Sequence, residues 1–585
     1  MEMKRIYVKK TPEFVGSKVR VCGWASKVRD HGSLVFIDIR DWSGKLQLVL
    51  DSSKIKLSEK VGLEYVIDVI GTVKKREASM VNKNMELGDI EIEVEEIKIL
   101  NASKTPPFPL DSDGEDIDES MRLKYRYIDI RRKRIRDLIE LRHKMAMATR
   151  QWFTEAEFTE VQTPLLTVSS PEGARDYLVP SRIYPGKFYA LPQAPQQYKQ
   201  LLMVGGVDRY FQIAPCFRDE DPRADRHSGD FYQVDVETSF LTQQEFFETM
   251  EPYFSYLTEK LTTKKVQSKV FPQIPYNEAI DKYGTDKPDL RFDMYLIDLT
   301  DEFKKSGADI FKGIDCVKGI LVDQEFSKKE IDKLTDEMKL EGAKGMVWLA
   351  LENDVLSGTM AKLFPKKVQE EIIKKCKAAG YKKGKQYIFA FGDEYVKACK
   401  FAGILRNRMG EQLNLKDPNV LAFAWIVDFP MFEWDEKNKK WDFGHNPFSM
   451  PRGGLEALRN EKPEDIFAQQ YDVACNGYEL ASGSVRNYHP ESFIEAFKIC
   501  GYTEEETRAK FGHMISAFEY GAPPHCGFAV GFDRFMMILS DEKNIKEVYA
   551  FPKSNAQELM TGAPREVDKS DLDVLGIELK KPVKK

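Results

Sequence analysis

Cysteine is scarce in this 585-residue chain. The eight cysteines stand singly, from Cys22 to Cys526, with no C-x-x-C pair. That spacing excludes a disulfide framework and a zinc knuckle, and it fits a reducing cytoplasm. Long apolar runs are missing too: Met346–Leu351 is representative and far too short to cross a bilayer. The first ten residues are charged and carry no signal-peptide apolar segment, so a cytoplasmic location without membrane attachment is expected. Two phosphate-binding signatures are also absent, G-x-x-x-x-G-K-[ST] and a G-x-G-x-x-G opening a strand–helix–strand unit, so any nucleotide is held by other means. Nor is there an excess of positive charge: the net is −6, which announces no nucleic-acid partner for the chain as a whole.

What is present is more local. The length implies two to four domains. Basic residues gather at Lys4, Arg5, Lys9, Lys10, Lys18, Arg20, Lys27 and Arg29, and again from Arg122 through Arg126 and Arg131 to Arg136. Charge runs alone read as solvated faces; phosphate contact is the sharper reading. Between 17 and 100, five Val/Ile-rich segments (Lys18–Trp24, Leu34–Arg40, Leu46–Asp51, Glu64–Val73, Ile90–Ile99) are separated by turn residues, the arithmetic of an oligonucleotide-binding barrel. Pro106, Pro107, Pro109 and the acidic run that follows suggest a linker. A helix is expected over 131–155, followed by a strand over 158–166. Lys-rich helices alternating with short strands mark an inserted α+β domain. The expected organisation is α+β and multidomain: barrel 1–105, linker 106–130, core 131–284, insert 285–415, core again 416–560, tail 561–585.

Three segments carry chemistry. Phe217-Arg218-Asp219-Glu220 leads, through His227, to Phe231, after which Gln233, Asp235 and Glu237 alternate with Val234 and Val236. Three polar groups on one strand face make poor core and a good site lining, although an exposed edge strand has the same pattern. Asn476-Gly477 is a two-residue hairpin signal. It pairs Cys475 with Tyr478, Ala474 with Glu479 and Asp472 with Ala481, placing Asp472 and Glu479 diagonally on one face, where two carboxylates suit Mg²⁺ shared with phosphates. The bland alternative is a solvent-facing acidic pair. Arg486 then has the wrong parity for that face, which a bulge near Ser482-Gly483-Ser484 would correct. Finally, residues 527–534 read as a strand running into a helix, with Arg534 at the junction.

These segments carry a resemblance. Phe217-Arg218-Asp219-Glu220 with Phe231 resembles motif 2 of the class II aminoacyl-tRNA synthetases, Gly531-Phe532-Asp533-Arg534 resembles motif 3, and the helix ending before Thr163-Pro164 resembles motif 1, the dimer-forming element. The runs at 170–177, 191–196 and 476–479, together with the large insert, resemble the bacterial type of the aspartate enzymes. The resemblance implies an antiparallel-sheet catalytic core behind the barrel, and a homodimer that uses ATP and Mg²⁺ to join L-aspartate to tRNA(Asp). It assigns Arg218 to the α-phosphate and the substrate α-carboxylate, and Phe231 and Arg534 to the adenine. Asp219, Glu220, His227, Glu479, Gly531, Phe532 and Asp533 complete the ATP site; Asp472 and Glu479 hold the metal. Arg486 and Lys199 take the substrate side-chain carboxylate with His445, while Glu172, Gln196, Gln233 and Asp235 surround its ammonium. Positioning and electrostatics suffice for such chemistry without a protein nucleophile.

Four positions depart from the common pattern: Ala194 for serine, His227 for glutamine with one extra residue before Phe231, Asn446 for a second histidine, and Phe532 for leucine. In the barrel, Arg29, Phe36 and Gln47 match anticodon-reading positions. Phe36 taken alone reads as core; the resemblance makes it a stacking platform. His31 and the loop around Ser79 match positions of tRNA discrimination, and histidine at 31 accompanies relaxed recognition that includes tRNA(Asn); a strictly tRNA(Asp)-specific enzyme is the alternative. An asparagine or lysine enzyme of the same subclass fits a cationic pocket less well. A silent RNA-binding relative would have lost some of Arg218, Asp472, Glu479 and Arg534, and all four are present.

Overall fold

A computed structural model describes residues 3–55, 60–169, 174–220, 229–554 and 557–580. The chain folds as two compact units: Met1–Glu140 with Ala550–Arg565, and Leu141–Tyr549 with Glu566–Lys585.

In the first unit, β1 (Lys18–His31), β2 (Leu34–Asp41), β3 (Gly44–Asp51), β4 (Val66–Lys75) and β5 (Ile90–Asn101) close into a barrel in the order β1-β2-β3-β5-β4. Val19, Val21, Ile37, Ile39, Leu46, Leu48, Val69 and Ile92 point inward and fill it, as a period of two requires. All five expected strands form. β1 runs seven residues past its expected end, with a bulge between Ala25 and Lys27 that lets it follow the barrel's curvature.

The segment after the barrel is not a bare linker. Asp118 caps a helix over Glu119–Lys124 by accepting from the Met121 amide, and a second short helix spans Arg126–Asp129. The Asp129 carboxylate, fully buried, meets Arg126 and Arg132 at 2.7 Å each and Arg122 at 3.6 Å. Three of the eight residues of the second basic cluster are therefore inside the fold and balanced by a carboxylate, so those arginines are neither a solvated face nor a phosphate-facing surface.

The second unit is built on eight strands: β6 (Thr159–Glu160), β7 (Arg209–Phe217), β8 (Asp230–Ser239), β9 (Gln273–Pro275), β10 (Phe423–Pro430), β11 (Phe467–Cys475), β12 (Tyr478–Val485) and β13 (His525–Gly531). Their order is β9-β10-β11-β12-β13-β8-β7-β6, antiparallel except at the two edges. β8 is thus a central strand, not an exposed edge. The strand expected over 158–166 shrinks to β6: Pro164 cannot donate to a ladder, and Thr163 donates from its amide and hydroxyl to Gln212 Oε1 instead. Four helices used below are α1 (Lys133–Glu155), α2 (Gln196–Val204), α3 (Gln243–Leu261) and α4 (Phe532–Leu539). α3 covers one face of the sheet, where Phe247 stacks on Trp425 at 3.9 Å and Phe246 meets Phe528 edge-on at 5.1 Å. That face is apolar; the opposite face carries the polar residues and is the floor of the site.

Between β9 and β10 the insert forms its own antiparallel five-stranded sheet, ordered Ile297–Asp298, Cys316–Val322, Lys385–Asp393, Val347–Glu352, Val355–Ser357. Its central strand alternates faces: Tyr387, Phe389 and Phe391 join one apolar cluster, Ile388 and Ala390 another. Among the described residues no helix is long and apolar enough to cross a membrane.

Candidate active site

The floor is assembled by register. On β8, Gln233, Asp235 and Glu237 lie opposite Gly531, Ala529 and Gly527 of β13. Ser482 and Ser484 of β12 pair in turn with Ala529 and Gly527. The strand between two polar rows thus carries almost no side chain on that face, which leaves a cavity of about 550 Å³ above it. Close packing accompanies this: a Cβ on Gly527 would stand 2.1 Å from the Val236 carbonyl and 2.2 Å from the Glu237 carboxylate.

At one end of the cavity four charges are interlocked. Arg486 donates to both Glu237 oxygens at 2.8 and 3.0 Å, to Ser484 Oγ at 2.9 Å and to the Gly527 carbonyl at 3.1 Å. Lys199, on α2, meets Asp235 at 2.6 Å and Glu237 at 3.4 Å. All four side chains are buried. Burial pushes the Glu237 carboxyl up, but Arg486 and Lys199 more than offset this and hold it below its ordinary value. For Asp235 burial dominates over Lys199, and its carboxyl is raised. Asp235 Oδ2 is buried without a hydrogen-bond partner.

The hairpin supplies the acidic wall. Cys475 pairs with Tyr478 and Ala474 with Glu479, as Asn476-Gly477 dictates. Asp472, however, lies opposite Ser482 rather than Ala481, because the register shifts between Val473 and Ala474, opposite Leu480. The bulge that the parity of Arg486 demanded exists, but nearer the turn than expected. Asp472 and Glu479 both line the cavity. Burial first, and Glu479 second, raise the Asp472 carboxyl well above its usual value, and its Oδ1 has no hydrogen-bond partner.

At the other end, the Arg218 guanidinium sits 5.1 Å from the Phe231 ring centroid, with Nε unpartnered. Arg534, at the start of α4, donates to the Glu479 carbonyl. Gln196, Glu220, Gln233, His445 and Gly531 also line the cavity, as do the departures Ala194 and Asn446. Gln196 donates to Gln200 at 3.1 Å, and Gln233 accepts from Cys216 at 3.3 Å.

Three expected ATP residues are placed otherwise. Asp219 is exposed and absent from the lining, held by a backbone bridge to Arg175. Phe532 is buried beneath the floor with the Arg142 guanidinium 5.0 Å from its ring. Asp533 reaches the lining, but its carboxylate is engaged by Arg142, the Tyr232 amide and the Tyr549 hydroxyl, the last two at 2.8 Å. It braces the motif. Glu172 and His227 lie outside the described residues. Three residues were missed. Glu237 was read only as part of a polar face: strict alternation put it on the side of Asp235, but its cations come from elsewhere in the chain. Asp286 and Lys287 line the cavity, with Lys287 at 3.7 Å from Glu479. The boundary expected at 285 assigned them to the insert, which hid their Gly-Thr-Asp-Lys-Pro loop.

In the barrel, Arg29 pairs with Asp38 at 2.8 Å and reaches Gln47 at 3.1 Å, and Gln47 reaches Glu91 at 3.2 Å. Phe36 lies outside the barrel's apolar cluster, so it is not core; its ring takes the His31 ring edge-on at 5.7 Å. Ser79 is exposed on a short 3₁₀ turn.

The chain is similar to known proteins in sequence and in fold. Residues 118–555 match the family described as tRNA synthetases class II (D, K and N), and residues 19–100 match the OB-fold nucleic acid binding domain. The chain is 45% identical to an aspartate–tRNA(Asp/Asn) ligase of Chlorobaculum parvum, covering 97% of this chain and 95% of that one. It is 48% identical to the protein of the same name from Beijerinckia indica, over 96% of each. The fold is that of asparaginyl-tRNA synthetase from Pyrococcus horikoshii complexed with asparaginyl-adenylate (TM-score 0.58, 18% identity, 94% and 98% covered) and of aspartyl-tRNA synthetase from Entamoeba histolytica (0.57, 18%, 94% and 92%). On the extent of these matches, the chain belongs to the class II aminoacyl-tRNA synthetases of the aspartate, lysine and asparagine family.

Proposed function

We propose that this chain activates L-aspartate with ATP, forming aspartyl-adenylate and pyrophosphate, and then transfers aspartate to the acceptor ends of both tRNA(Asp) and tRNA(Asn). The observation that carries the amino-acid choice is the interlocked quartet. An arginine offers five N–H donors, and four of those of Arg486 are engaged by Glu237, Ser484 and Gly527. The remaining donor is held in a fixed orientation for a carboxylate, and a neutral amide gains nothing comparable from it. Lys199 serves the same carboxylate from the other side, and the free Oδ2 of Asp235 accepts from the substrate ammonium.

Arg218 then stands for the α-phosphate and α-carboxylate, and stabilises the charge that gathers as the mixed anhydride forms. Phe231 and Arg534 hold the adenine. The pair Asp472 and Glu479 fits a hard cation, since a buried carboxylate oxygen with no protein donor is costly unless a cation compensates it. Among the described residues no cluster of three His, Cys, Asp or Glu ligands stands ready. Asp472 and Glu479 would hold Mg²⁺, which would neutralise phosphate charge when bound. The chain acts as a homodimer through the face of α1, where Met147 is exposed beside Lys260 of α3.

Acceptance of both tRNAs rests on the names of the close relatives and on His31 beside Phe36. Aminoacylation of each purified tRNA with labelled aspartate tests it: comparable plateau charging of both is expected. Charging of tRNA(Asp) alone would overturn the dual assignment, and charging with asparagine would overturn the substrate.

A further inference from the structure

Three hydrogen bonds run in series from the rim of the cavity to the start of β13. Gln196 and Gln200 stand four residues apart on α2 and so share one face of it. Gln196 Nε2 donates to Gln200 Oε1 at 3.1 Å, and Gln200 Nε2 lies 3.0 Å from His525 Nε2. On the other side of the ring, His525 Nδ1 lies 2.7 Å from the Pro523 carbonyl. Gln200 and His525 are fully buried, and Gln196 is buried where it lines the cavity. Neither Gln200 nor His525 has a part in the adenylate chemistry above.

The direction of the series is set at its buried end. A carbonyl only accepts, so His525 Nδ1 carries the proton that meets Pro523. An amide nitrogen only donates, so the ring nitrogen facing Gln200 is the bare lone pair. The charged groups around the ring are Glu237 on β8, Arg486 just past β12 and Lys199 on α2. Burial outweighs Glu237 and the Pro523 carbonyl and keeps the imidazole neutral, with Arg486 and Lys199 acting in the same sense. Because Gln200 turns its N–H to the ring, its Oε1 points at Gln196. Gln196 must offer an N–H to that oxygen, and its own Oε1 is left as the end of the series. Among the described residues nothing donates to that oxygen. A glutamine held by nothing can present either end of its amide, and the wrong end would set N–H donors against a cation.

We infer that His525 is a positioning residue: through Gln200 it locks the Gln196 amide so that Oε1 is the acceptor offered to the substrate α-ammonium, a role that rests on reading this cavity as the aspartate site. Gln196 then adds a second acceptor to the unpartnered Oδ2 of Asp235. The second acceptor is neutral, so it brings no further charge into a site that already buries Asp235 and Glu237. Each link also polarises the next, which strengthens the terminal oxygen as an acceptor. The ammonium is unchanged between bound aspartate and the adenylate, so this contact is the same in the ground state and the transition state. Its loss belongs in KM rather than in kcat.

The test is aspartate-dependent pyrophosphate exchange by the full-length enzyme, with succinate, which is aspartate without its ammonium, as competitor. His525→Met removes the lone pair and frees Gln200 to turn. The KM for aspartate should rise about tenfold, the worth of one hydrogen bond to a charged group. The kcat, the KM for ATP and the inhibition constant of succinate should stay close to wild type. His525→Gln, whose Oε1 can stand in for Nε2, should restore most of the affinity. Gln196→Ala should raise the KM similarly, and adding His525→Met to it should do no more. Gln200→Met cuts the same series one link earlier and serves where the histidine variant does not fold. A packing defect would shift Lys199 on the same helix and weaken succinate as much as aspartate; that result overturns the relay. So does a wild-type KM in a folded His525→Met, which sinks the relay alone when Gln196→Ala still raises the KM. A wild type without aspartate-dependent exchange would overturn the functional reading and the relay together.

Discussion

Arg486 owes its orientation to Glu237, and the two residues make separable predictions. Arg486→Leu would strand both Glu237 and the incoming side-chain carboxylate in a dry site, a cost of about 3–5 kcal/mol. Aspartate-dependent pyrophosphate exchange should fall on the order of a hundredfold or more, and near-normal exchange at subsaturating aspartate would remove Arg486 from substrate recognition. Glu237→Gln keeps the shape but loses the charge that holds the two-pronged contact. The KM for aspartate should rise about tenfold, the equivalent of one charge-assisted hydrogen bond, with the KM for ATP nearly unchanged. Equal changes in both constants would mean that the whole sheet has shifted. The sequence placed Glu237 on the right face, but alternation says only which side a residue takes. Which acid meets which cation depends on α2 bringing Lys199 across to β8, a tertiary contact that no local pattern encodes.

At the scale of elements, the site depends on a strand with almost no side chain on one face. Residues 527–534 were legible as a strand leading to a helix, and that strand and helix form as read. Their partners were not legible, because register between strands distant in sequence is set by the assembled sheet. Gly527→Ala tests the consequence. Its methyl would meet the Val236 carbonyl and the Glu237 carboxylate at about 2 Å, contacts that only movement of β8 or β13 could relieve. Overpacking of this kind costs typically ~1–3 kcal/mol. The expected result is a lower melting temperature together with a loss of aspartate binding, by calorimetry, that exceeds any loss of ATP binding. Full aspartate affinity in a folded variant would show that the cavity floor tolerates what this geometry forbids. The hairpin teaches the complementary lesson. Asn-Gly fixed the turn and its first two pairs correctly, whereas the bulge one residue further on displaced Asp472 by one partner, since a bulge answers to the neighbouring strand rather than to the turn.

For the molecule as a whole, on the proposed function, the amino acid is chosen in one compact unit and the tRNA is inspected in the other. A change in the barrel should therefore alter which tRNA is charged without altering adenylate formation. His31 is the residue to change. It ends β1, is exposed, and lays its ring edge against Phe36 on the outer face that also holds Arg29 and Gln47. The anticodons of the two tRNAs differ at their third base, cytosine against uracil. An imidazole can donate or accept and so serve either base edge, directly or through water; a leucine packed on Phe36 can do neither. Base discrimination of this kind is worth about 1–3 kcal/mol, enough for one side chain to shift the ratio about tenfold. His31→Leu should lower kcat/KM for tRNA(Asn) several times more than for tRNA(Asp), with aspartate-dependent pyrophosphate exchange unchanged. Ser79→Ala, on an exposed turn, should shift the ratio less. Equal losses for both tRNAs would reduce His31 to a turn residue facing solvent, and a loss of exchange would mean the substitution had disturbed more than the barrel surface.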